Sequence, residues 1–319
     1  MTADERNFRS SYYEKVGCHS VEEKKSLNKL LQDNIRNHVK LKQFCLSYTV
    51  PTTHRSLLWN IILGVMPLHK NSTEFIMNQR KAVYDDLLRA VNIMQYGSTT
   101  KPKVLLSMWQ LEQNRLLHSG PEDIADQVFM EIVKVLLQIF NDDVETYWLA
   151  KEFYACTLDI QQECPRLKEL TQTLLKKDDM QLYSHLENLD VFKSDQLLDR
   201  WYMTCFAGVI NESTLVRVWD KICGGSKKIV VFIFLEMAKA LSDKAMKCKT
   251  SNEFKNLIEQ VGVRGIDNFI SIPNELFPNG ETFIQNGIGV VKDPDALIVN
   301  KAIKAWQNSN QHSEKITVH

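Results

Sequence analysis

The stretch that decides the fold is "NESTLVRVWDKICGG", residues 211–225. Asn211 is a favoured N-cap residue, and Glu212 in the first turn suits the positive end of a helix dipole. Four apolar residues then follow at the i, i+3, i+4, i+7 spacing of one helical face: Leu215, Val218, Trp219 and Ile222. Gly224 stands where a left-handed C-cap is expected. The pattern predicts a capped amphipathic helix whose Trp219 face is buried.

The same helix carries Arg217 and Asp220, which resemble the residues of a chemical site. They lie three residues apart, so they are expected to pair on the helix, at a gain of only a few tenths of a kcal/mol if the pair is exposed. Neither residue is accompanied by a nucleophile or a general base. The stretch therefore indicates structure and not catalysis.

Working outward, most of the chain up to about residue 258 has helical periodicity. Gly and Pro are sparse, with 12 and 8 in 319 residues. Segment 122–140 is apolar nearly all round after Val128, which predicts a helix inside a bundle. The other predicted helical segments are 21–32, 52–64, 74–94, 143–158, 164–177 and 196–210. The predicted fold class is all-α.

The pattern changes at 261–291, where five of the 12 glycines and two of the eight prolines lie. A last helix is predicted from the N-cap Asp293 and Pro294 through apolar Val299, Ile303 and Trp306. The predicted organisation has five parts: an N-terminal arm at 1–20, a helical domain at 21–258, a Gly/Pro-rich loop or insertion at 259–292, a helix packing on the domain at 293–307, and a disordered tail at 308–319.

Composition and motif searches exclude several functions. Lys+Arg and Asp+Glu are both 39, which argues against a general nucleic-acid binder. Seven scattered cysteines, no C-x-x-C and a polar start favour a reducing cytoplasmic setting, and the apolar run at 229–235 is too short to span a bilayer. Phosphate-loop, dinucleotide, zinc-protease and nucleophile-elbow motifs are missing from the sequence. We expect no cofactor, no metal site and no transmembrane segment.

"WYMTCFAGVINESTLVRVWDKICGG" resembles the TBC domain of Rab GTPase-activating proteins. Upstream, "HRSLLWNIILG" is similar to an early element of that domain. The residues that carry the likeness are Trp201, Phe206, Arg217, Trp219 and Asp220, with Arg55, Trp59 and Gly64 upstream. The resemblance covers roughly 6–260 and 292–308, and implies a helical bundle in two packed lobes.

In this family, an arginine and a glutamine act in trans on a bound GTPase: the arginine neutralises developing charge, and the glutamine orients water. "VYDDLLR" matches the arginine motif and gives Arg89 as the candidate finger. The glutamine motif is degraded. Its best placement gives Gln127, with Ala125, Val128 and Phe129 where the family has Tyr, Gly and Met. A β-branched Val128 would obstruct a close approach of the GTPase.

Three functions remain open. Resemblance to one branch of the family implies a non-catalytic subunit that binds the hamartin coiled coil in the tuberous sclerosis complex, beside tuberin, and so restrains Rheb and TOR signalling. Such a protein would be cytoplasmic and would reach lysosomal or vesicle membranes through its partners. The alternative is an active Rab GTPase activator that uses Arg89 and Gln127. A Rab effector without hydrolysis is the third.

Overall fold

The structure is a computed structural model that describes residues 21–94, 100–115, 123–193, 197–263 and 294–316. Within these ranges it contains α-helices and no strand, apart from one isolated bridge between Ile35 and His69. This confirms the all-α class. The helices are α1 Val21–Gln32, α2 His38–Ser47, α3 Thr52–Ile62, α4 Thr73–Met94, α5 Lys101–Glu112, α6 Ile124–Ile139, α7 Asp143–Asp178, α8 Met180–Asn188, α9 Leu197–Met203, α10 Glu212–Cys223, α11 Ile229–Ala240, α12 Ser242–Ala245, α13 Ser251–Val263 and α14 Pro294–Ile316, with a 3-10 turn at Lys70–Ser72.

The chain divides into two compact units, of which the first comprises 1–160 and 219–227. An aromatic cluster fills its core. The ring of Phe153 lies 4.2 Å from that of Trp219, and Trp59 lies 6.3 Å from each of them. All three rings are buried, so each contributes a large apolar area to stability.

The second unit comprises 161–218 and 228–319. Its core is built on Trp201, whose ring lies 6.3 Å from both Phe234 and Phe254. Helix α14 packs on α11. It does so through a buried face that includes Val299 and Trp306, as the spacing predicts, although Ile303 is only half-buried.

The predicted amphipathic helix at 211–225 is confirmed as α10. The Asn211 side chain accepts from the backbone N–H of Ser213 at 3.0 Å, and the apolar face with Trp219 is buried. The predicted C-cap is wrong in detail, because the left-handed residue is Gly225, with φ +105°, and not Gly224. Gly224 serves close packing instead: a Cβ there would lie 3.0 Å from Leu46 of α2.

Three helices run further than the sequence predicts. α7 is one helix of 36 residues that passes through Pro165, where two separate segments were expected. α14 continues to Ile316, beyond the expected end at residue 307, since no Gly or Pro interrupts it. α13 likewise extends to Val263, into the segment predicted as a loop.

Several predictions fall outside the described residues. They concern the N-terminal arm at 1–20, residues 264–292 of the Gly/Pro-rich segment, the N-cap Asp293 and the last residues of the tail, 317–319. The five-part division of the chain stays a prediction. Among the described residues, no helix combines the length and the apolar character needed to cross a membrane.

Candidate functional site

Arg55, Trp59 and Asp220 form a buried polar centre in the first unit. Arg55 donates through Nε to Asp220 Oδ1 at 3.0 Å and through Nη2 to Oδ2 at 3.1 Å. Trp59 Nε1 donates to the same Oδ1 at 2.8 Å. The Asp220 side chain is only 1% exposed, so it does not form the exposed helical pair that was expected.

The electrostatics of this centre depend on burial. Burial raises the pKa of Asp220 above its ordinary value, and the charge and hydrogen bonds of Arg55 and Trp59 oppose that shift. The carboxylate accepts three hydrogen bonds from Arg55 and Trp59, and because it is buried no substrate can reach it. The arrangement can hold α3 to α10, but it cannot perform acid–base chemistry on a bound molecule.

Lys221, next in the chain, stabilises the end of another helix. Its Nζ, buried with the rest of the side chain, donates to the carbonyl oxygens of Cys45 and Tyr48 at 2.7 Å each and of Leu46 at 3.2 Å. These carbonyls belong to the last turn of α2 and its C-cap, where backbone acceptors lack helical partners. Sequence reasoning missed this contact. The only signal was a lysine placed beside the buried face of α10.

The other residues that carry the resemblance to the TBC domain are Gly64, Trp201, Phe206 and Arg217. Gly64 has φ +78° just after α3, a conformation that favours glycine. Trp201 and Phe206 are buried together in the second unit, with ring centres 6.4 Å apart. Arg217 is half-buried on α10. These residues position the helices.

The candidate arginine finger, Arg89, lies on the solvent face of α4. Its side chain is 72% exposed and its Nη1 lies 3.6 Å from Asp86 Oδ1, one turn earlier. Val83, the first residue of the motif, is also exposed. Val83, Asp86 and Arg89, the three motif residues, are therefore all exposed. A partner protein can reach Arg89 on this surface.

The candidate glutamine finger, Gln127, is exposed in the first turn of α6. An ion pair and an N-cap hydrogen bond fix the conformation of this turn. Arg115 donates to both carboxylate oxygens of the buried Asp126, at 2.7 and 2.9 Å, and Asp123 caps the helix by accepting from the Asp126 N–H. The hydrogen bond to Asp126 is the main reason that the pKa of Arg115 is raised.

Val128 and Phe129, which replace the family's Gly and Met, are buried in the core. Phe129 stacks on Trp109, with ring centres 4.5 Å apart. The Val128 side chain therefore points away from a partner at the surface, and its effect is on packing. The described part of the chain contains no cluster of His, Cys, Asp or Glu that could hold a metal ion.

Comparisons with known proteins identify the family. The chain is 35% identical over 277 residues to TBC1 domain family member 7 of Homo sapiens, across 85% of this chain and 94% of that one. The chain belongs to the TBC domain family. The same relative in Xenopus tropicalis is 33% identical over 272 residues, across 84% of this chain and 92% of that one.

Two further comparisons agree with this TBC assignment. The Rab-GTPase-TBC domain model matches residues 127–246, a range that starts at Gln127 and contains α10 but not Arg89. The crystal structure of the Ypt/Rab-GAP domain of Gyp1p superposes with a TM-score of 0.58 at 15% identity, covering 91% of this chain and 99% of that chain. At that identity the likeness shows the shared fold alone.

Proposed function

We propose that this TBC-domain protein is a non-catalytic interaction subunit that binds a hamartin-like coiled coil, beside a tuberin-like GTPase activator, and so helps to restrain Rheb and TOR signalling. The observation that carries the proposal is the likeness to TBC1 domain family member 7 across 94% of that relative's length. The partner follows from the resemblance of this chain to the branch that serves as third subunit of the tuberous sclerosis complex.

The surroundings of Gln127 support a non-catalytic role. The glutamine motif of the family is kept only in part, since Ala125, Val128 and Phe129 replace its Tyr, Gly and Met. Here Val128 and Phe129 pack into the core, and Asp126 is fixed by Arg115, so this turn is built as the start of a buried helix. Val128 and Phe129 thus serve packing, while Gln127 itself is exposed.

An exposed apolar surface offers a place for the coiled coil. Ile35 and Val39 are 62% and 73% exposed; Ile35 precedes α2, and Val39 lies in its first turn. The backbone of Leu68, an exposed residue, lies next to this segment, since its carbonyl oxygen accepts from the Arg36 N–H at 3.0 Å. We refer to Ile35, Val39 and Leu68 as the 35/39/68 surface. A helix with anchors at i, i+3, i+4 and i+7 fits such a surface.

Binding to a hamartin C-terminal coiled-coil fragment tests the proposal. We expect co-purification and a measurable Kd by calorimetry with the wild-type protein. Val39→Asp should weaken binding by about 2 kcal/mol or more if the 35/39/68 surface is central to the interface. Met180→Asp is the matched control, since Met180 is 53% exposed in the second unit. Failure of the wild-type protein to bind the fragment would refute the scaffold role.

A second function has its own support. Arg89 and Gln127 are both exposed in the first unit, as fingers acting on a Rab GTPase must be. Single-turnover GTP hydrolysis against a panel of Rab proteins separates the two functions. An acceleration that Arg89→Ala abolishes would establish GTPase activation, because an arginine finger contributes about a thousandfold or more. Equal rates with and without the protein would support the scaffold.

A further inference from the structure

The segments that form the 35/39/68 surface carry an excess of positive charge, although the chain as a whole has a formal net charge of zero. These segments are residues 29–47, from the last turn of α1 to the end of α2, and residues 66–72. They contain five Lys or Arg side chains and one acid, the exposed Asp33. The five are Lys29, Arg36, Lys40, Lys42 and Lys70. The positive charge is therefore local to this surface.

Two lysines of α2 lie on either side of Val39. The buried side of this helix is formed by Leu41, Phe44 and Cys45. At about 100° per residue, Val39 lies opposite that side, with Lys40 about 100° away in one direction and Lys42 about 60° away in the other. Lys40 is exposed and Lys42 is half-buried. On its exposed side α2 thus presents an apolar residue between two cations.

The loop at 66–72 brings basic residues next to Ile35. Ile35 and His69 form an antiparallel bridge, and two backbone hydrogen bonds of 2.9 and 3.0 Å flank the pair, one on each side. In such a non-hydrogen-bonded pair the two side chains project from the same face and lie close together. His69 is exposed, as is Lys70, the next residue. The exposed side chain of Ile35 therefore has an imidazole beside it.

The cations of this region are not neutralised by acids of the same chain. In the described part of the chain, the side chains of Lys29, Lys40 and Lys70 make no ion pair or hydrogen bond with another residue. Arg36 is buried, and its Nη1 donates to a neutral acceptor, the Pro67 carbonyl oxygen, at 3.0 Å. Unpaired positive charge around exposed apolar side chains favours a partner that combines carboxylates with an apolar stripe.

We propose that the helix which docks on the 35/39/68 surface carries carboxylates on both sides of its apolar stripe. Ile35 and Val39 make the apolar contact, and the surrounding lysines attract acidic flanks and repel basic ones. In coiled coils the residues beside the seam are often Glu or Lys, so their sign distinguishes one helix from another. The proposal rests on the function proposed above for its kind of partner, a helix of a coiled coil. A membrane surface fits less well, because its usual anchors are Trp, Phe and Leu.

Two synthetic helical peptides test the sign of the partner's charge. They share one leucine stripe at i, i+3, i+4 and i+7 and differ only in the residues that flank it, which are Glu in one peptide and Lys in the other. Fluorescence anisotropy measures their binding to the full chain in about 0.1 M and about 1 M NaCl, between which the Debye length falls from about 10 Å to about 3 Å. We expect the Glu-flanked peptide to bind at least about tenfold more tightly at the lower salt, and this preference to shrink at the higher salt.

Charge reversal at Lys40 completes the design. Lys40 lies in the first turn of α2, where an acid suits the helix dipole, so Lys40→Glu should fold. The variant should bind the Glu-flanked peptide more weakly and the Lys-flanked peptide more tightly, by about fivefold each at the lower salt. Lys304→Glu is the matched control, because it makes the same change of charge at an exposed position of α14 in the second unit, and it should alter neither affinity.

Three results would overturn the proposal. They are no binding of either peptide or equal binding of both, equal effects of Lys40→Glu and Lys304→Glu, and binding to vesicles of phosphatidylcholine and phosphatidylserine without a preference for the Glu-flanked peptide. The hamartin fragment separates this inference from the scaffold role. If the fragment binds the wild-type protein and Lys40→Glu alike, the inference fails and the scaffold role stands. If the fragment does not bind while the Glu-flanked peptide is still preferred, the scaffold role alone fails.

Discussion

Arg55 and Asp220, 165 residues apart in the chain, form a bidentate ion pair inside the first unit. The pair connects α3 to the C-terminal half of α10. Both residues belong to the set by which the sequence resembles the TBC domain. Their geometry indicates a structural role, because loss of either residue would leave the other as an unpaired buried charge.

Removal of one partner of this pair should therefore be strongly destabilising. For Arg55→Ala and for Asp220→Ala we expect a loss of about 3–5 kcal/mol in the free energy of unfolding. Urea unfolding of both variants measures it. The double variant Arg55→Met/Asp220→Leu should lose less than the sum of the single losses, since no unpaired charge remains. Arg89→Ala is the control and should unfold like the wild-type protein, because Arg89 is exposed.

The two glycines after α10 should respond to substitution for different reasons. Gly224→Ala places a methyl 3.0 Å from Leu46, which is overpacking with an expected cost of about 1–3 kcal/mol. Gly225→Ala meets no atom within 4 Å but forces a φ of +105° on alanine, with a similar cost of about 1–3 kcal/mol.

Truncation of Leu46 distinguishes the two causes. In a double-mutant cycle by urea unfolding, Leu46→Ala should relieve part of the cost of Gly224→Ala, since the contact with Cys45 Cβ at 3.1 Å stays, and none of the cost of Gly225→Ala. Equal coupling of Leu46 to both glycines would contradict this assignment.

The local pattern in the sequence predicted what depends on neighbouring residues and missed what depends on distant ones. The spacing around Trp219 gave the buried face of α10 correctly, because helical periodicity is local. The partner of Asp220 could not be found this way, since Arg55 is brought to it only by tertiary packing. The same holds for Lys221 and the end of α2. Gly224 and Gly225 were confused because adjacent glycines satisfy the same capping pattern.

The resemblance to the family locates the candidate fingers in the sequence, but it does not show how their neighbours pack. Gln127 falls within the helix predicted at 122–140, and the structure places it in the first turn of α6. The objection raised by Val128 assumed a side chain facing a partner, whereas the structure buries it. Only the three-dimensional packing distinguishes a methyl group that obstructs a surface from one that fills a core.

Pro165, exposed inside α7, should limit the stability of that helix. Proline has no N–H to donate to the carbonyl oxygen of Gln161, and its ring crowds that carbonyl. Pro165→Ala removes the cost of a proline inside a helix but makes the unfolded chain more flexible, which offsets part of the gain. The net increase in the free energy of unfolding should be about 2 kcal/mol. Thermal and urea unfolding measure the gain. Pro294→Ala is the matched control at the first residue of α14, where proline is tolerated, and it should give no gain.

Stability should fall in alkaline solution because thiols are buried. Burial, and then the hydrogen bond to Asp199, raises the pKa of Cys164 from 9.0 to about 12. Burial also raises the pKa of Cys156 to about 11. The folded protein thus holds these protons more tightly than the unfolded chain. The contribution is fully present below pH 9 and is lost as the pH rises through the folded pKa values, at up to about 1.4 kcal/mol per pH unit for each thiol.

Cys164→Ser isolates one of these thiols. Serine keeps a donor for Asp199, whose Oδ1 accepts from Cys164 Sγ at 2.9 Å, but does not titrate in this range. Urea unfolding at several pH values between 8 and 10.5 should therefore show a shallower decline for the variant than for the wild-type protein. The two proteins should differ by a constant amount at pH 8 and below, where the thiol is protonated in both states. Parallel declines above pH 9 would mean that Cys164 titrates alike in the folded and unfolded chains, and that the alkaline loss comes from other groups.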